Sequence, residues 1–172
     1  MRQRSWTRVL PLVVAVILIT CWVAVSAAVE RLVPSVYLQP QDAIDDSNPG
    51  DVVNITDVDT YDPFVVDVAV EVKSTAPTEV TIDAGRTGAA WAVRITDSGG
   101  YVHGLTLVSD DNGTGIADVG PGRLADCTLK DDGNEFGNDG AAQVSTGRIE
   151  DCEFTLTSGQ GRGIYGGSSG SN

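Results

Sequence analysis

A short phrase occurs three times in this 172-residue chain. Residues 100–107 read Gly-Tyr-Val-His-Gly-Leu-Thr-Leu, residues 122–129 read Gly-Arg-Leu-Ala-Asp-Cys-Thr-Leu, and residues 147–154 read Gly-Arg-Ile-Glu-Asp-Cys-Glu-Phe. Steps of 22 and 25 residues separate them, a spacing used by stacked-repeat architectures. Aligned, the phrases yield three apolar columns: Val102, Leu124 and Ile149; Leu105, Cys127 and Cys152; Leu107, Leu129 and Phe154. The columns between them are polar or small, the alternation of a half-buried strand. Gly104, Asp126 and Asp151 interrupt that alternation, and Gly or Asp there suits a sharp bend. A second motif precedes each phrase, at 91–95, 115–119 and 141–144, and recurs at 163–165.

No repeat can bury its own apolar columns. Stacked neighbours can, because like residues then sit about 4.8 Å apart, coil over coil. The pattern predicts an all-β chain folded as a right-handed parallel β-helix, a solenoid. The start of the domain carries further signals. Asp42-Ala43-Ile44-Asp45-Asp46-Ser47-Asn48-Pro49-Gly50-Asp51 runs into the β-branched stretch Val52-Val53-Asn54-Ile55. It reads as a short cap helix over 41–48, stopped by Pro-Gly, then a first strand. Asp59-Thr60-Tyr61 and Val80-Thr81-Ile82-Asp83-Ala84-Gly85 follow.

On these residues the chain resembles the pectin-lyase-like parallel β-helix superfamily, in particular extracellular members of the haloarchaeal type. The resemblance covers roughly residues 36–172. It implies the fold. It does not single out an activity, since this fold carries lyases, hydrolases, epimerases, spikes and adhesins.

Charge narrows the partners. The net charge is −13. Three of the eleven bases lie in the first eight residues, and all 24 acids lie from Glu30 onward. The portion after residue 29 therefore sets eight bases against 24 acids, a net of −16, and only Lys73 and Lys130 are lysines. An acidic, lysine-poor chain suits very high salt, where counterions screen self-repulsion. Charge disfavours nucleic acid as a partner.

The chain divides into three parts. Residues 1–29 pair a basic arm with an apolar run over 9–29. Two readings stay open: a signal peptide cut near Ser26-Ala27-Ala28, or an uncleaved transmembrane signal anchor. Both place the remainder outside the cell. Residues 30–40, with two prolines, read as a linker. Residues 41–172 form the β-helix domain, whose C-terminal coil reads as incomplete, an open end suited to self-association.

Few residues invite chemistry. Asp126 and Asp151 stack at the bend, with Arg123 and Arg148 three residues earlier in a parallel column. Two carboxylates one strand spacing apart raise one pKa or hold a cation, and a pair near 5 Å is what a retaining glycosidase uses. A bend in an acidic protein uses the same carboxylates, so none of these four is assigned as catalytic. Asp131, Asp132 and Asn134 lie in an acidic stretch with oxygen ligands that suit calcium, without the spacing of a known calcium loop; no cofactor is assigned. Cys127 and Cys152 occupy one inward position in successive coils. They form either an inter-coil disulfide or a ladder of packed thiols, and the 4.8 Å stacking favours the ladder. Asn54-Ile55-Thr56 and Asn112-Gly113-Thr114 are glycosylation sequons. His103, the one histidine, falls at an outward position beside Tyr101.

Together these features predict an extracellular or membrane-anchored surface module, binding or structural, directed toward polysaccharide or cell-envelope components. The alternatives are a polysaccharide lyase or glycoside hydrolase of the same fold, and a shortened relative without independent activity.

Overall fold

The structure, a computed structural model, describes residues 27–109, 115–131, 142–156 and 164–166. Among them the chain forms a parallel β-solenoid of about five coils. The first sheet holds β1 (Glu30–Val33), β2 (Val52–Ile55), β5 (Glu71–Ser74), β8 (Tyr101–His103), β11 (Arg123–Ala125) and β14 (Arg148–Glu150). The second holds β3 (Thr60–Tyr61), β6 (Thr81–Asp83), β9 (Thr106–Ser109), β12 (Thr128–Asp131) and β15 (Glu153–Leu156). The third holds β4 (Phe64–Val66), β7 (Trp91–Ile95), β10 (Gly115–Val119), β13 (Ala142–Val144) and β16 (Ile164–Gly166). Each coil visits the three sheets in turn and then pairs, in parallel, with the coil before it.

The repeated phrase is thus one strand of the first sheet, a bend, and one strand of the second. The register follows the sequence alignment: Val102 pairs with Leu124 and Leu124 with Ile149; Leu107 pairs with Leu129 and Leu129 with Phe154. These side chains line the interior with Val53, Val72, Ile82, Val93 and Ile95, all fully buried. Each buried Val, Leu or Ile of this kind contributes about 1.5–3 kcal/mol. Ile149, Cys152 and Phe154 are only half-buried, because β14 and β15 are the last strands of their sheets among the described residues.

The bend is a left-handed residue in every coil where the phrase occurs: φ is +71° at Gly104, +49° at Asp126 and +51° at Asp151. Gly tolerates this region, and Asp is among the few other residues that visit it. The opening glycine of the phrase has a different cause. A Cβ on Gly122 would lie 2.6 Å from the Gly100 carbonyl oxygen and 2.2 Å from Ile95 Cγ2. Successive coils approach too closely there for any side chain.

The N-terminal end differs from expectation. Residues 30–40 are not a linker throughout, because Glu30–Val33 forms β1 and pairs with β2 in register. Arg31 takes the place of an apolar residue in the inward column, opposite Val53, which hid the strand. Its two terminal guanidinium nitrogens donate to Tyr37 Oη at 2.8 Å, Asp46 Oδ2 at 2.6 Å and Asp51 Oδ2 at 3.0 Å, while its buried Nε has no partner among the described residues. Asp51, only 2% exposed, also accepts the backbone N–H of Val29 and of Asn48, each at 2.9 Å. One carboxylate thereby ties the start of β1 to the turn before β2. The helix α1 (Pro40–Asp45) starts on a proline, carries Asp42 in its first turn, and buries Pro40, Ala43 and Ile44. It packs on β1, β2 and β4, covering the first coil. The apolar run lies outside the described residues except for 27–29, and among the described residues no helix is long and apolar enough to cross a membrane.

Two outcomes follow. Gly122→Ala forces backbone apart and lowers stability by roughly 1–3 kcal/mol, read from urea unfolding midpoints at unchanged m. The hydrogen bonds from Asn48 and Val29, then Arg31, hold the Asp51 carboxyl below its usual value of 3.8. Its contribution is therefore complete above that value and is lost as pH falls through the lower folded value. Asp51→Asn lowers the melting temperature at pH 7, and the gap from wild type narrows in strong acid.

Candidate functional site on the first sheet

Alternation in the first sheet sends every second residue outward, and the register lines these residues up across coils. One outward column runs Val52, Glu71, Tyr101, Arg123, Arg148. The other runs Asn54, Lys73, His103, Ala125, Glu150. From β5 to β14 these columns carry a continuous chain of contacts. Lys73 Nζ lies 3.5 Å from Glu71 Oε1. The same oxygen is 2.9 Å from His103 Nε2. The His103 ring stacks on Tyr101, centroids 4.5 Å apart and planes 14° from parallel. The Arg123 guanidinium sits 4.7 Å from the Tyr101 ring centroid and bonds Glu150 Oε2 at 2.7 Å. Arg148 Nη1 lies 3.7 Å from the other oxygen of Glu150. Three strand steps make this row roughly 14 Å long.

The row is polar on both counts. The acceptors Glu71 and Glu150 are each flanked by donors, Lys73 and His103 at one and Arg123 and Arg148 at the other. The His103 hydrogen bond, with the charge of Lys73 behind it, holds the Glu71 carboxyl below its ordinary value. From β5 to β14 three cations meet two carboxylates, and Glu30 on β1 brings the outward face to balance, on a chain of net charge −13. Ala125, 1% exposed, is the one short residue between His103 and Glu150. It leaves room for the long side chains to fold over it.

The residues singled out from sequence fall elsewhere in part. Arg123 and Arg148 point outward and pair with Glu150, whereas Asp126 and Asp151 occupy the left-handed bend and are exposed. Strand alternation directs the arginines to the face, and among the described residues no ion pair joins them to the bend aspartates. Asp131 is not a loop residue. It ends β12 with its side chain buried, and accepts Ser109 Oγ from the coil below at 3.3 Å. Asp132 and Asn134 lie outside the described residues. Among those described, no three His, Cys, Asp or Glu side chains cluster closely enough to hold a metal ion.

Asn54 is 6% exposed. Its Nδ2 donates to Glu30 Oε1 at 2.7 Å and its Oδ1 accepts Thr75 Oγ1 at 2.8 Å. The amide is thus occupied at both ends, and a glycan on it would displace Glu30. Asn112 lies outside the described residues. Cys127 and Cys152 are free thiols.

Sequence reasoning passed over Glu71, Lys73 and Glu150. The alternation in Val70-Glu71-Val72-Lys73 would have shown the first two as outward. Glu150 follows directly from sharing a column with His103.

The contacts of the face are exposed, and each is worth little: about 0.2–1 kcal/mol for an exposed ion pair and about 0.5–1 kcal/mol for an exposed cation–π contact. Arg123→Ala is expected to shift stability by no more than about 1–2 kcal/mol in chemical denaturation, against about 2–5 kcal/mol for Leu124→Ala, its buried neighbour. No family model, curated protein or solved structure matches the chain.

Proposed function

We propose that this chain is a surface module of the right-handed, pectin-lyase-like β-helix type, carried on the outside of a salt-adapted cell. In this reading, residues 9–29 serve as its anchor or its cleaved signal. Its first-sheet face docks a polysaccharide. The observation that carries the reading is the continuous row from Lys73 to Arg148. A linear polyol presents hydroxyls at regular intervals, and donors and acceptors held in fixed columns answer that pattern. With His103 and Arg123 both against its ring, Tyr101 offers its hydroxyl and its edge. Arg123 is held by Glu150 before any ligand arrives, which reduces the ordering cost of binding.

A lyase or hydrolase is the second reading, favoured by one observation: the His103–Glu71 pair, with Lys73 beside it, brings an acid and bases together on this face. Such convergence is what acid–base chemistry requires.

Binding is measured in molar salt against a panel of neutral and acidic polysaccharides, by affinity electrophoresis and then calorimetry. Wild type is expected to retain at least one polymer without shortening it. Tyr101→Ala with Arg123→Ala is expected to weaken that interaction at least about tenfold, equivalent to about 1.4 kcal/mol. Affinity unchanged in the double variant would remove the face as the docking site. Release of unsaturated or reducing ends by wild type would replace the binding reading with the enzymatic one. If Asp126→Asn with Asp151→Asn left that release intact, the bend would have no part in it.

A further inference from the structure

The two free thiols form the most reactive arrangement that the docking face does not use. Cys127 and Cys152 fill the same corner of successive coils, between a first-sheet strand and a second-sheet strand. The flanking register is direct on both sides: Ala125 opposite Glu150, and Thr128 opposite Glu153. Adjacent parallel strands bring Cα atoms to about 4.7–4.9 Å, inside the 4.4–6.8 Å range of disulfides.

The two sulfurs are not equivalent. Cys127 is 2% exposed. Its interaction with Cys152, together with burial, pushes its pKa up. Cys152 is half-buried at the last described rung of the first and second sheets. Interaction with Cys127, side chain and backbone, lowers its pKa to about 7 against burial and the charge of Asp126. When protonated, Cys152 donates to the Glu150 carbonyl at 3.3 Å. One thiol is sheltered and protonated; the other is reachable and readily ionised. That division is what a nucleophilic thiol and a resolving thiol require.

We propose that Cys127 and Cys152 are a redox-active pair, in which Cys152 attacks a small-molecule disulfide and Cys127 resolves it into a reversible inter-coil disulfide. In the first step the Cys152 thiolate bonds to one sulfur of the small disulfide and expels the other half as a thiolate. In the second, Cys127 loses its proton and attacks the Cys152 sulfur, and the remaining half leaves. Two protein thiols and one small disulfide become one protein disulfide and two small thiols. The protons lost by the protein are those gained by the leaving groups. The closed bond ties the coil of β14 and β15 to the coil of β11 and β12 before it.

The test uses the full-length reduced protein and oxidised glutathione, followed by intact mass and peptide mapping. The expected product has lost two hydrogens and yields a linked Cys127–Cys152 peptide that dithiothreitol reverses. Cys127→Ser should stop at a glutathione adduct on Cys152, and Cys152→Ser should leave Cys127 unmodified. Labelling of wild type with iodoacetamide needs no variant. It should favour Cys152 over Cys127 by at least about tenfold, with a rate that rises through pH about 7. Overturning results are a wild-type adduct that never resolves, a link that runs through Cys21 instead, or equal labelling of the two thiols.

Discussion

Backbone hydrogen bonds between successive coils run along the axis of this protein, and nearly every other feature answers to them. The Gly100 carbonyl accepts from Arg123, the Gly122 carbonyl from Arg148, the Leu105 carbonyl from Thr128 and the Cys127 carbonyl from Glu153. Bonds of this kind are met only if each coil lies in register on the last, one strand spacing away. The register then dictates the columns. An inward residue must stack on inward residues, so the interior is a set of Val, Ile and Leu ladders. In the three coils that carry the phrase the bend takes a left-handed φ, and Gly104, Asp126 and Asp151 occupy it. Where two turns come closest, the position tolerates nothing larger than Gly122.

The same register lines up the outward row on the first sheet. Outward residues do not pack into the interior ladders, so their identity can be set by another demand. The Lys73-to-Arg148 row contributes modestly to stability and yet is organised over four strands. Pairing Arg123 with both Tyr101 and Glu150 holds a long, flexible side chain in one place. At the opposite end of the stack, Arg31 shows what happens when charge occupies an inward column. It is tolerated at the edge of the sheet because Asp51, Asp46 and Tyr37 surround it. Deeper in the stack, the Val53 and Val72 positions offer no such partners.

How much was legible depended on how regular the coil was. The phrases at 100–107, 122–129 and 147–154 displayed strand, bend and strand directly, and their alignment matches the register residue for residue. The earlier coils were harder to align. From Glu71 to Tyr101 the step is 30 residues rather than 22 or 25, because the 3-10 turn Ala84–Arg86 and the loop after it lengthen that coil. Glu71 and Lys73 therefore did not fall into line with His103, and the face was seen only as an isolated histidine beside a tyrosine. β1 was missed because Arg31 breaks its apolar column and Pro34 follows at once. The bend aspartates and the column arginines stand three positions apart, Arg123 on the strand and Asp126 on the left-handed bend that ends its alternation. Burial of Asn54 came from a neighbour, Glu30, in a strand that sequence had not revealed.

The direction of the inter-coil bonds also sets how the stack would carry a mechanical load. β1 is the outermost strand of the first sheet, and its own start is pinned by the Val29–Asp51 and Val52–Val29 bonds. Tension applied through residue 29 meets those bonds first and peels β1 from β2 one bond at a time. Deeper coils feel no force until the first has come away. A chain built of stacked rungs thus yields as a zip does, lengthening by one coil per step while the remainder keeps its shape. Asp51, whose carboxylate joins β1 to the turn before β2 at the loaded end, is the stop at the head of that zip.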